Sequence, residues 1–132
     1  MTRAVLADTG PLYAAADEGD AWCNRASQEL ERLAHERREV LVAYPTLLEA
    51  HALVLFRMGT KAANKWLSFM TTVRLVNPSP DDYEQALARV RALPDQSITL
   101  CDATVAALAT RLGLEVWTYD HHFDVMRVRV WR

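Results

Sequence analysis

Four carboxylates in this chain fall at positions where their chemistry would be hard to explain as ordinary surface charge. Asp8 directly follows the apolar run Arg3 to Ala7. Glu49 closes the stretch Pro45-Thr46-Leu47-Leu48-Glu49, Asp102 follows Thr99-Leu100-Cys101, and Asp120 comes just after Glu115 to Thr118. Glu49 is set among Leu47, Leu48, Ala50 and Ala52, and Asp102 is followed by Ala103, Val105, Ala106, Ala107 and Leu108. Neither acid has a lysine or arginine next to it in sequence. A carboxylate against apolar surface loses hydration and needs a compensating partner. A hard divalent cation, Mg²⁺ or Mn²⁺, meets that need, because it prefers oxygen ligands and neutralises their mutual repulsion. Held by carboxylates, such an ion activates water for attack on phosphorus and stabilises the departing oxygen.

Each acid taken singly also has a local explanation. Asp8 can be a turn or N-cap residue before Gly10-Pro11. Thr46 to Glu49 and Thr99 to Asp102 both match the capping-box spacing, in which the acid closes back on the cap's amide. Asp120 can be a turn residue. What distinguishes the metal reading is convergence, and convergence depends on the elements that carry the residues.

Those elements are legible from periodicity. Arg3 to Ala7 reads as a buried strand leaving through a tight turn at Asp8-Thr9-Gly10-Pro11. From Asp20 to about Arg38, Trp22, Ala26, Leu30 and Leu33 recur at helical spacing, and Val40 to Ala43 is a second short strand. The helix after Pro45 runs to Phe56, with Gly59 ending it. Its apolar residues cover nearly all faces, which puts it at the centre or in an interface. A helix from about Lys61 to Thr72 leads to a strand at Val73 to Val76. Ser79-Pro80 starts a helix that Pro94 stops, and another runs from near Thr99 to a terminating Gly113. Glu115 to Thr118 and Val128 to Trp131 complete the strands. Strands alternating with helices imply an α/β fold: a parallel sheet of about five strands with helices on both faces. In that architecture sites form at the carboxyl ends of the strands, where all four acids fall.

Composition bounds the rest. The 132 residues fit one domain spanning positions 1–132, 51% hydrophobic and 24% charged, with a net charge of −2. A protein that holds nucleic acid by phosphate neutralisation alone is usually strongly basic, so any such binding here is local, with metal ions sharing the neutralisation. Ala4 to Ala7 is too short for a signal-peptide core, and no run reaches the roughly 20 residues that span a bilayer. A cytoplasmic protein is expected. Cys23 and Cys101 lack ligand spacing and read as buried free thiols.

Four stretches in order resemble the PIN domain, and within it the VapC toxins of toxin–antitoxin pairs. They are Val5-Leu6-Ala7-Asp8-Thr9-Gly10-Pro11-Leu12, Pro45-Thr46-Leu47-Leu48-Glu49, Asp95-Gln96-Ser97-Ile98-Thr99-Leu100-Cys101-Asp102-Ala103 and Val116-Trp117-Thr118-Tyr119-Asp120-His121-His122-Phe123. The resemblance covers essentially the whole chain. It implies metal coordination by Asp8, Glu49, Asp102 and Asp120, with the Thr9 hydroxyl in support. It further implies hydrolysis of RNA, a homodimer, and a small antitoxin whose C-terminal arm enters a groove. Many relatives carry a further acid two residues after the fourth. Here that position is His122, a possible ligand for a softer ion such as Mn²⁺.

The remaining candidates are weaker. His121 adjoins Asp120 and is a supporting candidate, whereas His35 reads as solvated and His51 as packing. Arg37 and Arg38, and Arg57 with Lys61 and Lys65, are either solvated helix faces or a path for RNA or an acidic partner. Trp66, Leu67, Phe69 and Met70 read as core or the floor of a groove. Arg127, Arg129 and Arg132 read as guards of an edge strand. Two other functions compete with the nuclease. A PIN scaffold can serve as a binding module with little activity. Asp8-Thr9-Gly10 is also the triplet of aspartic proteases, whose fold is nearly all β.

Overall fold

The computed structural model describes residues 3–132. Four parallel strands, β1 (Ala4–Ala7), β2 (Glu39–Ala43), β3 (Arg74–Val76) and β4 (Glu115–Trp117), form one sheet in the order β3-β2-β1-β4. The expected strand at Val128 to Trp131 is present only as one parallel bridge, Val116 to Val130. Among the described residues seven helices surround the sheet: α1 (Thr9–Ala16), α2 (Cys23–His35), α3 (Tyr44–Met58), α4 (Thr60–Met70), α5 (Pro80–Ala92), α6 (Leu100–Leu112) and α7 (His122–Val125). This α/β architecture removes the aspartic-protease reading, which requires a nearly all-β chain.

Both sheet faces are buried, and alternation along each strand sends successive side chains to opposite cores. Val5, Ala7, Val42 and Trp117 join Tyr13, Leu33, Val54 and Trp66 on one side. Leu6, Leu41, Ala43 and Val116 join Ala86, Leu108, Phe123 and Met126 on the other. The chain builds β2 and then β3 to one side of β1 and returns to place β4 on the other. Strand order therefore reverses between β1 and β4, and a crevice opens at their carboxyl ends.

Several local expectations are revised. Asp8-Thr9-Gly10-Pro11 is the start of α1 rather than a free turn. Proline fits there because amides in a helix's first turn have no carbonyl to reach. The α2 pattern starts later than Asp20, and Trp22 is 46% exposed while Ala26 and Leu33 form its buried stripe. In the Arg-rich tail, Arg127 adopts a positive φ, Arg129 donates to the Gly113 carbonyl and Arg132 pairs with Asp124. These arginines fasten turns; they do not guard a strand. Both cysteines are free but half-buried, not fully buried.

Helix α3 resolves its all-round apolar pattern into three faces. Thr46, Ala50 and Val54 point into the core. Glu49, Leu53 and Arg57, again four residues apart, form a second stripe along the helix that lines two adjoining cavities. Leu48, Leu55 and Phe56 lie exposed on the outside, Phe56 at 88%. Gly59, with φ of 90°, ends α3 where an L side chain would be strained.

Candidate metal centre at the sheet's switch point

Asp8 is the residue immediately beyond β1, and its amide donates to the Trp117 carbonyl of β4 at 2.9 Å. That bond places Asp8 beside Thr118, across the switch-point crevice. The Thr118 hydroxyl donates to Asp8 Oδ2 at 2.8 Å and accepts from the Asp120 amide at 3.0 Å. One threonine thus fixes two of the four acids. Although Asp8 occupies the N-cap position of α1, its side chain caps nothing, and the buried Oδ1 has no hydrogen-bond partner.

Asp102 enters from the opposite side of the sheet in the first turn of α6. There the Thr99 hydroxyl caps the helix by accepting from the Asp102 amide at 3.0 Å. Glu49 arrives on α3, whose N-cap is Ala43, so Thr46 lies inside the helix and the expected Thr46–Glu49 capping box does not form. All four acids line one open cleft of about 460 Å³, together with Thr9 and His121. His122 is not on that lining. Its amide donates to Asp120 Oδ1 at 2.9 Å, and its Nδ1 sits 3.0 Å from the same oxygen without hydrogen-bond geometry. Asp120, His121 and His122 nevertheless bring one donor atom each within 4.8 Å of one another, close enough to share an ion.

The electrostatics of the cleft follow from its burial. Asp8 is 5% exposed and its pKa is pushed up to about 7, chiefly by desolvation, then by the charge of Asp102 and to a lesser extent Glu49. Asp102 is pushed up to about 6 by burial and by Asp120. Burial and the neighbouring Glu49 also raise the Cys101 thiol. Unpartnered Asp8 Oδ1, an unpartnered Thr9 hydroxyl and mutually repelling carboxylates are what an oxygen-ligated cation would relieve. An all-oxygen donor set suits a hard cation such as Mg²⁺ or Mn²⁺, and Asp8, Glu49, Asp102 and Asp120 are the carboxylates on the cleft wall that would hold it.

Thr118 is the residue that sequence reasoning passed over. The available signal was its position at the end of β4, two residues before an acid, on the rim where the site was expected. Of the basic clusters, Arg38 is absorbed by ion pairs with Glu36 and Glu115, while Arg57 lines a cavity next to the metal cleft. His35 is exposed, and His51 is half-buried near Trp66, as packing requires. Trp66 and Met70 are core, but Phe69 is 67% exposed.

Known structures share this arrangement of elements. The sarcin–ricin loop-cleaving toxin VapC20 of Mycobacterium tuberculosis superposes with a TM-score of 0.83 at 24% identity, covering 97% of this chain and 98% of that one. VapBC2 of Rickettsia felis, solved on a DNA fragment from its promoter, gives 0.76 at 14% identity over 98% and 97%. A toxin–antitoxin complex from Klebsiella pneumoniae gives 0.66 at 20% identity over 89% and 87%. A sequence search of curated proteins finds no match. The family model of the PIN domain matches residues 5–128, and the chain belongs to the PIN domain family.

Proposed function

We propose that this chain is a metal-dependent endoribonuclease and the toxin of a toxin–antitoxin pair. The observation that carries the reading is the four-acid cleft, in which Asp8 Oδ1 is buried without a partner. When bound, Mg²⁺ or Mn²⁺ supplies positive charge against the scissile phosphate and acidifies a water for attack on phosphorus. Asp8, Asp102 and Asp120 would supply the principal oxygen ligands, and Glu49 would hold either the ion or a water beside it. Thr118 holds Asp8 in register, and Thr9 offers a free hydroxyl beside it. Fold likeness to a toxin that cleaves the sarcin–ricin loop supports RNA as substrate. Likeness to a toxin–antitoxin complex supports a small protein inhibitor. The exposed apolar face of α3 supports a homodimer.

The test is cleavage of RNA by the purified protein. It should proceed in Mg²⁺ or Mn²⁺, stop in chelator, and fall to background in Asp8→Asn and in Asp102→Asn. Cleavage at the wild-type rate by both variants would overturn the assignment. Metal binding without cleavage would instead leave a binding module on a nuclease scaffold.

A further inference from the structure

A second cavity, of about 360 Å³, adjoins the metal cleft and shares Gly10 and Tyr119 with it. Its walls combine exposed aromatic surface with the Arg57 guanidinium, which also faces the Tyr13 hydroxyl and feels the Asp17 charge. Trp22 is 46% exposed, whereas the other three tryptophans are at most 7% exposed. The Trp22 ring is held edge-on against Tyr119, with centroids 4.8 Å apart. Tyr119 is itself anchored, its hydroxyl donating to Glu29. Arg25 lies over both rings, 5.4 Å from Trp22 and 4.2 Å from Tyr119, and is tethered to Glu29. On the facing wall Arg57 reaches from α3, its guanidinium 4.9 Å from the Tyr13 ring. Among the described residues it has no carboxylate within ion-pair distance. The one acid on the cavity wall, Asp20, already accepts from the Trp22 amide at 2.8 Å.

We propose that this cavity is a subsite for one unpaired nucleotide of RNA, next to the nucleotide whose phosphate enters the metal cleft. The base stacks on Trp22 beside Leu53, and Arg57 meets a phosphate. The inference rests on the ribonuclease reading of the adjoining cleft. Stacking on a fixed aromatic ring requires a base freed from its neighbours, which single-stranded loops provide. The Glu49–Leu53–Arg57 stripe of α3 joins the two cavities, so a strand laid along it passes from metal to shelf. A chain of net charge −2 needs such local cations to hold RNA at all.

The test is a cycle pairing enzyme variants with RNA that is intact or abasic beside the cut. On intact RNA, Trp22→Ala should lower kcat/KM about 5- to 100-fold, mostly through KM. Trp22→Phe should restore most of it, and on the abasic RNA the Trp22→Ala effect should vanish. Arg57→Gln should weaken binding across sequences and flatten its salt dependence. Because Trp22 carries the accessible indole, its emission should change when RNA binds and lose that change in Trp22→Phe, whether or not RNA is cut. Equal kcat/KM for wild type and Trp22→Ala, or a loss that persists on abasic RNA, overturns the subsite while leaving the nuclease intact. A wild type that binds RNA through Trp22 without cutting it keeps the subsite and sinks the nuclease. An indole response to a co-expressed partner protein but not to RNA makes the groove a protein-docking surface and overturns the inference.

Discussion

At the scale of the residue, Asp8 carries the consequences of burying a carboxylate among other acids. Its raised pKa, about 7 against an ordinary 3.8, makes the folded protein bind a proton that the unfolded chain has released. Stability in chelator therefore falls as pH rises from about 4 to about 7, then levels off. The slope is up to about 1.4 kcal/mol per pH unit from this group. Asp8→Asn removes the charge, so in chelator it should melt no lower than wild type at neutral pH, with a flatter pH dependence. Added Mg²⁺ or Mn²⁺ should raise the wild-type Tm and do much less for the variant. A metal-insensitive wild type and a clearly destabilised variant would make Asp8 a turn residue instead. Thr118→Val belongs to the same argument. Losing the hydroxyl that orients Asp8 and receives the Asp120 amide should weaken metal binding about 10- to 100-fold by titration. The four acids were legible because each follows a strand or opens a helix beside apolar neighbours. Thr118 was not, since a hydroxyl at a strand end gives no charge conflict to notice.

At the scale of the element, the helix starts divide by how much their side chains reveal. Ser79-Pro80-Asp81-Asp82 announces α5, and the capping box between Ser79 and Asp82 forms in full. The sequence gives no hint that the same Asp82 carboxylate, almost fully buried, also receives Arg111 from α6 through Nε at 2.9 Å and Nη2 at 2.8 Å. That pair is separated by 29 positions and ties the two helices covering one sheet face. The Arg111 guanidinium hydrogen-bonded to it holds the Asp82 carboxyl below its ordinary pKa. Its contribution is therefore present above the unfolded pKa and lost as pH falls through the folded one. Arg111→Met should lower the Tm at neutral pH, because it leaves the buried Asp82 carboxylate without its ion-pair partner. Acid melts of the variant should also lose part of the wild-type decline below the carboxylate range. An unchanged Tm and acid limb would show the pair to be idle. Helix α1 is hidden for the opposite reason: Thr9-Gly10-Pro11 carries turn residues, and the helix-forming stretch Leu12 to Ala16 behind them is short. The tail from Val128 resembles a strand in sequence because Val128, Val130 and Trp131 are β-formers. Packing of Phe123, Met126 and Trp131 satisfies that pattern with a single bridge.

At the scale of the whole molecule, the surface left after folding is the least legible in sequence, because an apolar residue does not say whether it faces a core or a partner. Helix α3 settles the matter face by face. Its inner stripe is core, its Glu49–Leu53–Arg57 stripe lines the cavities, and its outer stripe is largely uncovered among the described residues. Leu48 is 69% exposed, Leu55 42% and Phe56 88%, with Ala52 between them also exposed. One stripe is too narrow for a stable interface, which needs roughly 800 Å² per partner. Self-pairing must therefore recruit further exposed surface, but the large side chains nearest its centre should dominate its energetics. If α3 meets a second copy, Phe56→Asp should shift the protein towards monomer by one to several kcal/mol of association energy. The same substitution at so exposed a site should leave the monomer's Tm within about 0.5 kcal/mol of wild type. Light scattering and sedimentation across a wide concentration range, with thermal melts of both proteins, separate these effects. A wild type that stays monomeric at high concentration removes the dimer. A dimer indifferent to Phe56→Asp places its interface elsewhere. A variant that melts far below wild type at dilutions where both are monomers would mean that α3's outer stripe supports the fold itself.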